Sequence, residues 1–456
     1  MAYMFNTPED QRAMLEAIGV ESIEQLFEAI PAEIRFQGDL EIPAAMGELE
    51  LTQHMSALAE KNLPPGQAPC FLGGGSYDHF IPAVVDAISS RGEIFTSYTP
   101  YQPEVSQGNL QAMFEYQTLI CQLTGMDVSN ASLYDGGSAA AEAALMSISV
   151  TRRDQKVVVP ETVHPEYREI LSTYLTNLGT KVETVPCPGG VASIEAIAAA
   201  IDSETACVLV QHPNFFGQLE EVEQLAEAAH AQGALLVVAV DPISLGLLRR
   251  PGDLGADIVV AEGQSLGSPM SFGGPYLGIM ACREKFVRRL PGRIAGQTVD
   301  RRGKRCWVLT LQTREQHIRR DKATSNICTN QGLFALRASV YLAALGPHGL
   351  RAVSDLSLRK AHYAADKLTG NDRFELKFAA PFFKEFVVRD RQGQVDQLLG
   401  DAASAGLLAG ISLGRWYPEL SDCFLVAVTE QRTRAEIDLW SRTLTNATQL
   451  ETASHA

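Results

Sequence analysis

Short runs of aliphatic and β-branched residues alternate with helical patterns through the middle of the chain. The apolar runs lie at 156–160, 181–186, 206–213, 234–241, 257–262 and 276–282. Between most of them, apolar residues recur at intervals of three and four, near 165–177, 193–201 and 220–232. Continuous apolar strands separated by helices are typical of a mainly parallel sheet that is covered on both faces. The pattern therefore predicts an α/β domain, in which ligands bind beyond the carboxyl ends of the strands.

The segments on either side of this pattern differ from it. Residues 8–30 have helical periodicity, and a polar stretch that follows ends at NLPPGQAP, residues 62–69. A basic stretch without regular periodicity covers 283–330, and a helical pattern near 331–345 then leads into strands and helices of a smaller α+β unit. We therefore expect three regions: an N-terminal helical arm over 1–69, a large domain over 70–330 and a small C-terminal α+β domain over 331–456.

Composition and charge exclude several classes of protein. With 54 Asp and Glu against 38 Lys and Arg, the net charge is −16, which argues against a protein that binds nucleic acid. No apolar run approaches the roughly 20 residues of a membrane span, and the first residues lack the features of a secretion signal. The eight cysteines are scattered without a CxxC pair, as expected for a cytoplasmic protein without a structural zinc site or another metal.

The segment SLYDGGSAAAEAA, residues 132–144, combines polar and glycine residues with the start of an alanine-rich helix. Asp135, Gly136, Gly137 and Ser138 precede the helical pattern directly. Free backbone N–H groups at such a start can hold a phosphate. The alternative is that Asp135 or Ser138 only caps the helix.

Two polar residues follow apolar strands at the predicted ligand edge of the sheet. Asp241 ends the run at 234–241, where a carboxylate could neutralise a cationic nitrogen of a ligand. The alternative is a turn ahead of Pro242. His212 follows the preceding strand, and a polar loop histidine is the simpler interpretation of it.

Two further segments contain polar and aromatic residues suited to binding. The first is SYTPYQPEVSQG at 97–108, where prolines flank a loop that either displays its side chains or packs its own aromatic rings. The second is TREQHIRRDKATSNICT at 313–329, where basic residues precede a Ser/Thr/Asn run. This segment is either a solvated basic surface or a loop that contacts an anion.

Together, YTPYQPEVSQGNLQAMFEYQT, SNASLYDGGSAAAEA, PNFFG, GGP and REQHIRRDKATSNICT resemble the P-protein of the glycine cleavage system. The resemblance runs from about residue 70 to about residue 350. That family occurs as one long chain with two homologous halves or as two subunits, and this chain resembles the N-terminal half, subunit 1. The resemblance implies a fold-type-I pyridoxal-phosphate-dependent transferase fold with active sites at a dimer interface.

Pyridoxal phosphate requires a lysine, an aspartate for its ring nitrogen and a helix start for its phosphate. The resemblance places the lysine between DIVVAE and GGP, where this chain has GQSLGSPMSFGGP. Either Gln264 or Ser265 then stands at the lysine position, and no lysine lies between Lys181 and Lys285. Neither side chain can bind the cofactor covalently, so we expect no catalytic residue in this chain.

The resemblance also assigns roles to the remaining candidates. A vestigial cofactor pocket is expected at Asp135, Gly136, Gly137, Ser138, His212 and Asp241. Contributions to the partner's active site are expected from Tyr98, Thr99, Tyr101, Gln102, Glu104, Thr324, Ser325 and Asn326.

The function that the resemblance implies is that of the lysine-lacking subunit of a glycine dehydrogenase (decarboxylating). Its homologous partner, P-protein subunit 2, would carry pyridoxal phosphate and decarboxylate glycine with release of CO₂. The aminomethyl group would pass to the lipoyl arm of H-protein, within an α2β2 heterotetramer. The alternatives are a stand-alone pyridoxal-phosphate-dependent lyase and a non-catalytic structural or regulatory scaffold of the same fold.

Overall fold

The computed structural model describes residues 6–36, 38, 40–64 and 66–446. The chain divides into two compact units, Met1–Asn62 and Leu63–Ala456. Within the described ranges, no helix is long and apolar enough to cross a membrane.

Among the described residues of the N-terminal unit are two α-helices, α1 (Pro8–Ile18) and α2 (Glu48–Ala59). The Thr7 side chain and the Asp10 carboxylate form a capping box at the start of α1. The helical pattern predicted over 8–30 is interrupted, because α1 ends at Gly19, whose φ of 87° is left-handed. Only a 3₁₀ turn at Glu24–Phe27 follows within that range.

The larger unit contains the remaining regular elements. Its helices are α3 (Ala83–Ser89), α4 (Gly92–Phe95), α5 (Gln107–Thr124), α6 (Gly136–Thr151), α7 (Pro165–Leu175), α8 (Ile194–Ala200), α9 (Val222–Ala231), α10 (Gln316–Arg319), α11 (Gly332–Thr369), α12 (Val395–Ser404) and α13 (Arg434–Asn446). Its strands are β1 (Val128–Ser129), β2 (Lys156–Pro160), β3 (Lys181–Val185), β4 (Thr205–His212), β5 (Leu235–Val240), β6 (Ile258–Glu262), β7 (Gly278–Cys282), β8 (Ile294–Val299), β9 (Arg305–Thr310), β10 (Phe374–Leu376), β11 (Glu385–Asp390), β12 (Ile411–Ser412) and β13 (Cys423–Ala427).

A seven-stranded sheet in the order β1-β7-β6-β5-β4-β2-β3 forms the centre of this unit. Strands β2 to β6 pair in parallel, whereas β7 and β1 are antiparallel to their neighbours. Successive residues of a strand point to opposite faces, and both faces are buried here. Val208 and Leu236 belong to one apolar core, while Leu209 and Val237 belong to the core on the other face. The prediction of a mainly parallel, doubly covered sheet is confirmed.

The stretch 283–330 is more regular than its sequence indicates. Strands β8 and β9 form a two-stranded antiparallel ribbon within it. Two glutamines of α5 bind this ribbon: Gln117 exchanges hydrogen bonds of 2.9 and 3.0 Å with the main chain of Ala295, and Gln107 pairs similarly with Trp307. These side chains stabilise two strands whose own apolar pattern is weak.

The C-terminal part of the larger unit follows α11, which has a left-handed residue at Gly346 ahead of Pro347. A four-stranded antiparallel sheet has the order β10-β11-β13-β12. Helices α11, α12 and α13 contribute to its core, where Trp440 is fully buried and stacks on Phe71 at 5.0 Å between ring centroids. The predicted α+β character of this part is confirmed, whereas a domain boundary at residue 330 stays a prediction.

Candidate functional site

A cavity of about 1220 Å³ lies in the larger unit, beyond the carboxyl ends of the central strands. Its lining includes His164, which follows β2, and Glu262 and Gln264 at the end of β6. Asp135 and Gly137 at the start of α6 also line it. The structure therefore brings the predicted phosphate turn and the expected lysine position to the same cavity, as the parallel topology requires.

The start of α6 is occupied by groups of the protein itself. The Asp135 carboxylate accepts a hydrogen bond of 2.7 Å from the Ser138 N–H, so Asp135 caps the helix. The Gly136 N–H donates to Glu262 Oε2 at 2.9 Å. A Cβ at Gly136 would lie 2.1 Å from the Tyr167 hydroxyl, so only glycine fits at this point.

Glu262 is the carboxyl group around which this end of the cavity is built. Its second oxygen, Oε1, accepts from the N–H groups of Gln264 at 2.9 Å and Leu277 at 3.0 Å. Burial raises the pKa of Glu262 to about 7, against the opposing effect of the three N–H donors. A carboxyl group thus receives the N–H donor that a phosphate at a helix start would receive.

Gln264 and Ser265, the two candidates for the lysine position, are both buried. The Gln264 side chain accepts from the Tyr77 N–H at 2.9 Å and donates to the main-chain carbonyls of Tyr77 at 3.1 Å and Ser268 at 2.8 Å. Gln264 therefore fixes the backbone at Tyr77. The Ser265 hydroxyl has no hydrogen-bond partner among the described residues.

Asp241 forms an ion pair with a lysine from the C-terminal part of the unit. Lys384 Nζ lies 2.8 Å from Asp241 Oδ2, and the Lys384 side chain is only 1% exposed. The same ammonium group lies 2.9 Å from His79 Nε2 and 3.4 Å from the centroid of the Tyr77 ring. Asp241 Oδ1 accepts from the Ile243 N–H at 3.1 Å. Asp241 is thus paired with a cationic nitrogen of the protein itself, while its predicted pairing with a ligand nitrogen stays a prediction.

Further buried groups surround the Lys384 ammonium. His79 Nδ1 lies 2.6 Å from Glu430 Oε2, and the Tyr77 hydroxyl donates to Glu385 Oε2 at 2.8 Å. Burial lowers the pKa of His79, and the charge of Lys384 lowers it further. A neutral His79 can donate from Nδ1 to Glu430 and accept from Lys384 at Nε2. Burial also raises the pKa of Glu385 to about 7.

His212 takes a structural position. It is buried, its Nδ1 accepts from the Glu220 N–H at 3.0 Å, and burial lowers its pKa to about 4. Neither His212 nor Asp241 lines the cavity among its described residues. The six residues predicted for a vestigial pocket are therefore split: Asp135 and Gly137 line the cavity, and the other four are not among its described lining residues.

The two loops predicted to reach a partner's site are joined by Arg293. This buried residue donates from Nη2 to the Tyr101 hydroxyl and to the Cys328 carbonyl, both at 2.8 Å. Its Nη1 lies 3.5 Å from Asn330 Oδ1. The Tyr101 ring also makes an edge contact with His317 at 5.9 Å between centroids. One guanidinium group thus links the Tyr98–Glu104 loop to the 324–330 segment.

Several residues of these loops are accessible in the isolated chain. Tyr98 is 85% exposed and Tyr101 48% exposed. Gln102, Glu104 and Asn326 are also exposed, while Thr99, Thr324 and Ser325 are half-buried. Tyr98 and Thr99 line a cavity of about 380 Å³ together with Thr329 and Asn330. The structure therefore brings the two loops together, while their contact with a partner stays a prediction.

The basic run at 313–329 contains two kinds of side chain. Arg314 is half-buried and donates to the main-chain carbonyls of Leu290 and Gly292, so it holds the fold. Arg319 and Lys322 are exposed and line a cavity of about 310 Å³.

Sequence reasoning missed Glu262, Lys384 and Arg293. Two of them had a visible signal: Glu262 ends the apolar strand DIVVAE, and Lys384 interrupts the apolar segment FFKEFVV. A charged residue in such a run is buried only when it has a partner. Arg293 had no comparable signal, since it lies in a stretch that is basic throughout.

The sheet order, the cavity beyond its carboxyl edge and the carboxylate after β5 define an α/β protein of the fold-type-I pyridoxal-phosphate-dependent class. A sphingosine-1-phosphate lyase from Burkholderia pseudomallei has this fold, with a TM-score of 0.66 at 14% identity over 92% of this chain and 94% of the lyase chain. More specifically, the family model of the glycine cleavage system P-protein matches residues 1–444, and the chain belongs to this family.

Close relatives extend over nearly the whole chain. A probable glycine dehydrogenase (decarboxylating) subunit 1 from Desulforamulus reducens is 53% identical over 96% of this chain and 98% of its own length. A protein of the same description from Carboxydothermus hydrogenoformans is also 53% identical, with the same coverage. The crystal structure of an inhibitor-bound glycine decarboxylase (P-protein) of the glycine cleavage system has a TM-score of 0.89 at 43% identity, covering 98% of this chain and 100% of that one.

Proposed function

We propose that this chain is the subunit of a two-subunit glycine decarboxylase that holds no covalent pyridoxal phosphate. The observation that carries the proposal is the end of β6, where Gln264 and Ser265 follow and no lysine lies between Lys181 and Lys285. Relatives described as subunit 1 of glycine dehydrogenase support a second subunit, and that partner would bind the cofactor. As in the sequence-based expectation, the complex would be a cytoplasmic α2β2 heterotetramer.

In this proposal, the loop pair of this chain completes the partner's active site. Pyridoxal phosphate held there supplies the electron sink for the loss of CO₂ from glycine. Tyr98–Glu104 and Thr324–Asn326 would form walls of that site, exclude water and border the entry for the lipoyl arm of H-protein. Arg293 would fix the relative position of the two loops through its hydrogen bonds to Tyr101 and Cys328.

The apolar side chains around the first loop support a subunit interface. Phe95 is 65% exposed and Val105 75% exposed, and they flank Tyr98 in the sequence. Contiguous exposed apolar patches are typical of interaction surfaces, and exposed apolar residues on both sides of this loop in the sequence fit such a surface. Burying them against a homologous subunit would bring the loop pair to a site that the partner provides.

The test is reconstitution from separately purified subunits. The isolated chain is expected to show no visible absorbance of bound cofactor and no glycine–bicarbonate exchange. Mixing it with its partner subunit and lipoylated H-protein should restore both signals. Cofactor absorbance and exchange activity in the isolated chain would refute the proposal.

A single substitution tests the role of the loop in the assembled enzyme. Tyr98→Ala is expected to lower the exchange rate at saturating subunit concentration, with Tyr174→Ala on α7 as the control. If the chain is only a scaffold, replacing Tyr101 and Glu104 leaves turnover unchanged while the subunits still associate.

A stand-alone lyase would require a lysine that reaches the cofactor, and the structure offers Lys384, whose ammonium contacts the cavity-lining residues Tyr77 and His79. Its ammonium contacts Asp241, the residue that would bind the ring nitrogen of the cofactor. The aldehyde of pyridoxal phosphate lies opposite that nitrogen on the ring, so the same lysine cannot reach it. Borohydride reduction followed by peptide mapping distinguishes the two functions, because a lyase would have a labelled lysine.

A further inference from the structure

We propose that Lys384 and Glu262 prevent pyridoxal phosphate from binding in this chain's own pocket. Each of them is already bonded to a protein group that the bound cofactor would need. The inference rests on the proposed function, in which the cofactor belongs to the other subunit, and it goes beyond the missing lysine. A lysine introduced at residue 264 or 265 therefore does not by itself restore binding of pyridoxal phosphate.

At one end of the pocket, the Lys384 ammonium takes the position beside Asp241 that the ring nitrogen of pyridoxal phosphate would take. The ammonium lies at hydrogen-bonding distance from Asp241, 2.8 Å, so a protonated ring nitrogen cannot take the same place. His79 and Tyr77 complete the surroundings of the ammonium and also line the cavity. Neither Asp241 nor Lys384 is among the described residues that line it. The carboxylate is therefore both neutralised and separated from the open space.

At the other end, the Glu262 carboxyl group takes a hydrogen bond that the phosphate of the cofactor would accept. It accepts the Gly136 N–H at the start of α6, and the neighbouring Ser138 N–H is bound by Asp135. The closest approach to Gly136 comes from Tyr167 and from Glu262 itself, so the helix start packs against the protein. A phosphate would meet carboxyl groups where it needs N–H donors, and like charges repel.

Cavity volume does not explain the exclusion. The space that remains measures about 1220 Å³, which is more than a small-molecule site requires. At one end Asp241 is already paired with Lys384, and at the other the Gly136 and Ser138 N–H groups are already bound by carboxylates. The obstacle is therefore the pairing of charged groups, and removing the two internal groups should expose both binding ends.

The experiment measures binding of pyridoxal phosphate to the full-length isolated chain. Lysine is introduced at either candidate position, by Gln264→Lys or Ser265→Lys, with and without Lys384→Ala and Glu262→Ala. Visible absorbance, borohydride reduction and peptide mapping report capture at residue 264 or 265. We expect capture at one of these positions with an affinity at least about tenfold higher when both alanine substitutions are present than for the lysine substitution alone.

Two controls keep the outcomes distinct. Lys181→Ala with Glu183→Ala removes an exposed ion pair of 3.1 Å on β3 and should not promote capture. Capture by Gln264→Lys or Ser265→Lys alone, at the affinity of the triple variants, would overturn the inference and leave the proposed function intact. Covalent cofactor in the wild-type chain would instead refute the proposed function.

If the triple variants fail to fold, melting temperatures of variants without the added lysine test the inference instead. Lys384→Ala alone leaves Asp241 buried without its cation, and its melting temperature should fall. Saturating pyridoxal phosphate should raise the melting temperature of the double variant Lys384→Ala with Glu262→Ala by several degrees and leave the wild-type value unchanged. An equal response of both proteins, or no response of either, would contradict the inference.

Discussion

Replacing Arg293 by methionine tests whether one buried guanidinium group holds the loop pair together. The substitution removes the two hydrogen bonds of 2.8 Å to Tyr101 and Cys328. Hydrogen bonds from a charged group contribute roughly 1.5–3 kcal/mol each. The lower value applies here, because both partner residues are exposed and water can replace the lost donor. Two such bonds give a loss of about 3 kcal/mol in the free energy of local opening, or about a 100-fold larger open population.

Limited trypsin digestion measures that opening, because Arg319, Arg320 and Lys322 lie in the exposed segment just before the second loop. When cleavage is slow compared with reclosing, its rate follows the open population. We therefore expect cleavage after these residues to accelerate by about two orders of magnitude. Arg301→Met, at the exposed turn between β8 and β9, is the matched control. A change of less than about threefold in Arg293→Met would refute the idea that Arg293 positions the loops.

Three further predictions concern buried groups. Burial raises the pKa of Glu142 to about 7, although a hydrogen bond with Ser325 lowers it. The protonated group therefore contributes stability that is fully present below the unfolded-state pKa of 4.5 and is lost as pH rises through the folded-state pKa of about 7. In urea titrations, Glu142→Gln should therefore remove a fall of about 2.5 kcal/mol in the free energy of unfolding between pH 5 and pH 8. Gly136→Ala should destabilise the chain by about 1–3 kcal/mol, because its Cβ would meet Tyr167 at 2.1 Å, and the shift in urea midpoint measures this. Asp390→Asn should cost about 3–5 kcal/mol, since it breaks a buried ion pair, and Asp422→Asn at the exposed Arg389 contact should cost less than 1 kcal/mol.

The central sheet could be predicted because its strands are continuously apolar. Strand β2 has the predicted bounds 156–160, and β5 and β6 begin one residue later than their apolar runs. Burial on both faces requires such runs, and turns or helices end them sharply. The ribbon β8–β9 was missed for the opposite reason. Its strands are partly exposed, and they are held partly by glutamine side chains of α5, a contact that no local pattern predicts.

Only the part of the candidate site that follows from the sheet topology could be predicted. Parallel strands bring Asp135, Asp241 and the position of Gln264 to one edge of the sheet, and the sequence indicated each of them. The partner of Asp241 comes from another sheet, since Lys384 directly precedes β11. Pairing between distant segments depends on how the C-terminal strands pack against the central sheet. Charged residues within apolar runs were the available clue.

A motif that remains in a sequence does not by itself show that its ligand remains. The sequence predicts Asp241 and the glycine turn as parts of a pyridoxal phosphate pocket, yet here each is bound by a group of the same chain. Losing a cationic ligand would leave Asp241 with an unpaired buried charge, and Lys384 removes that cost. Glu262 likewise supplies an acceptor for an N–H that would otherwise be unsatisfied at a buried helix start. Under the proposed function, internal replacement of both ends would let these residues persist in a stable fold without a cofactor of its own.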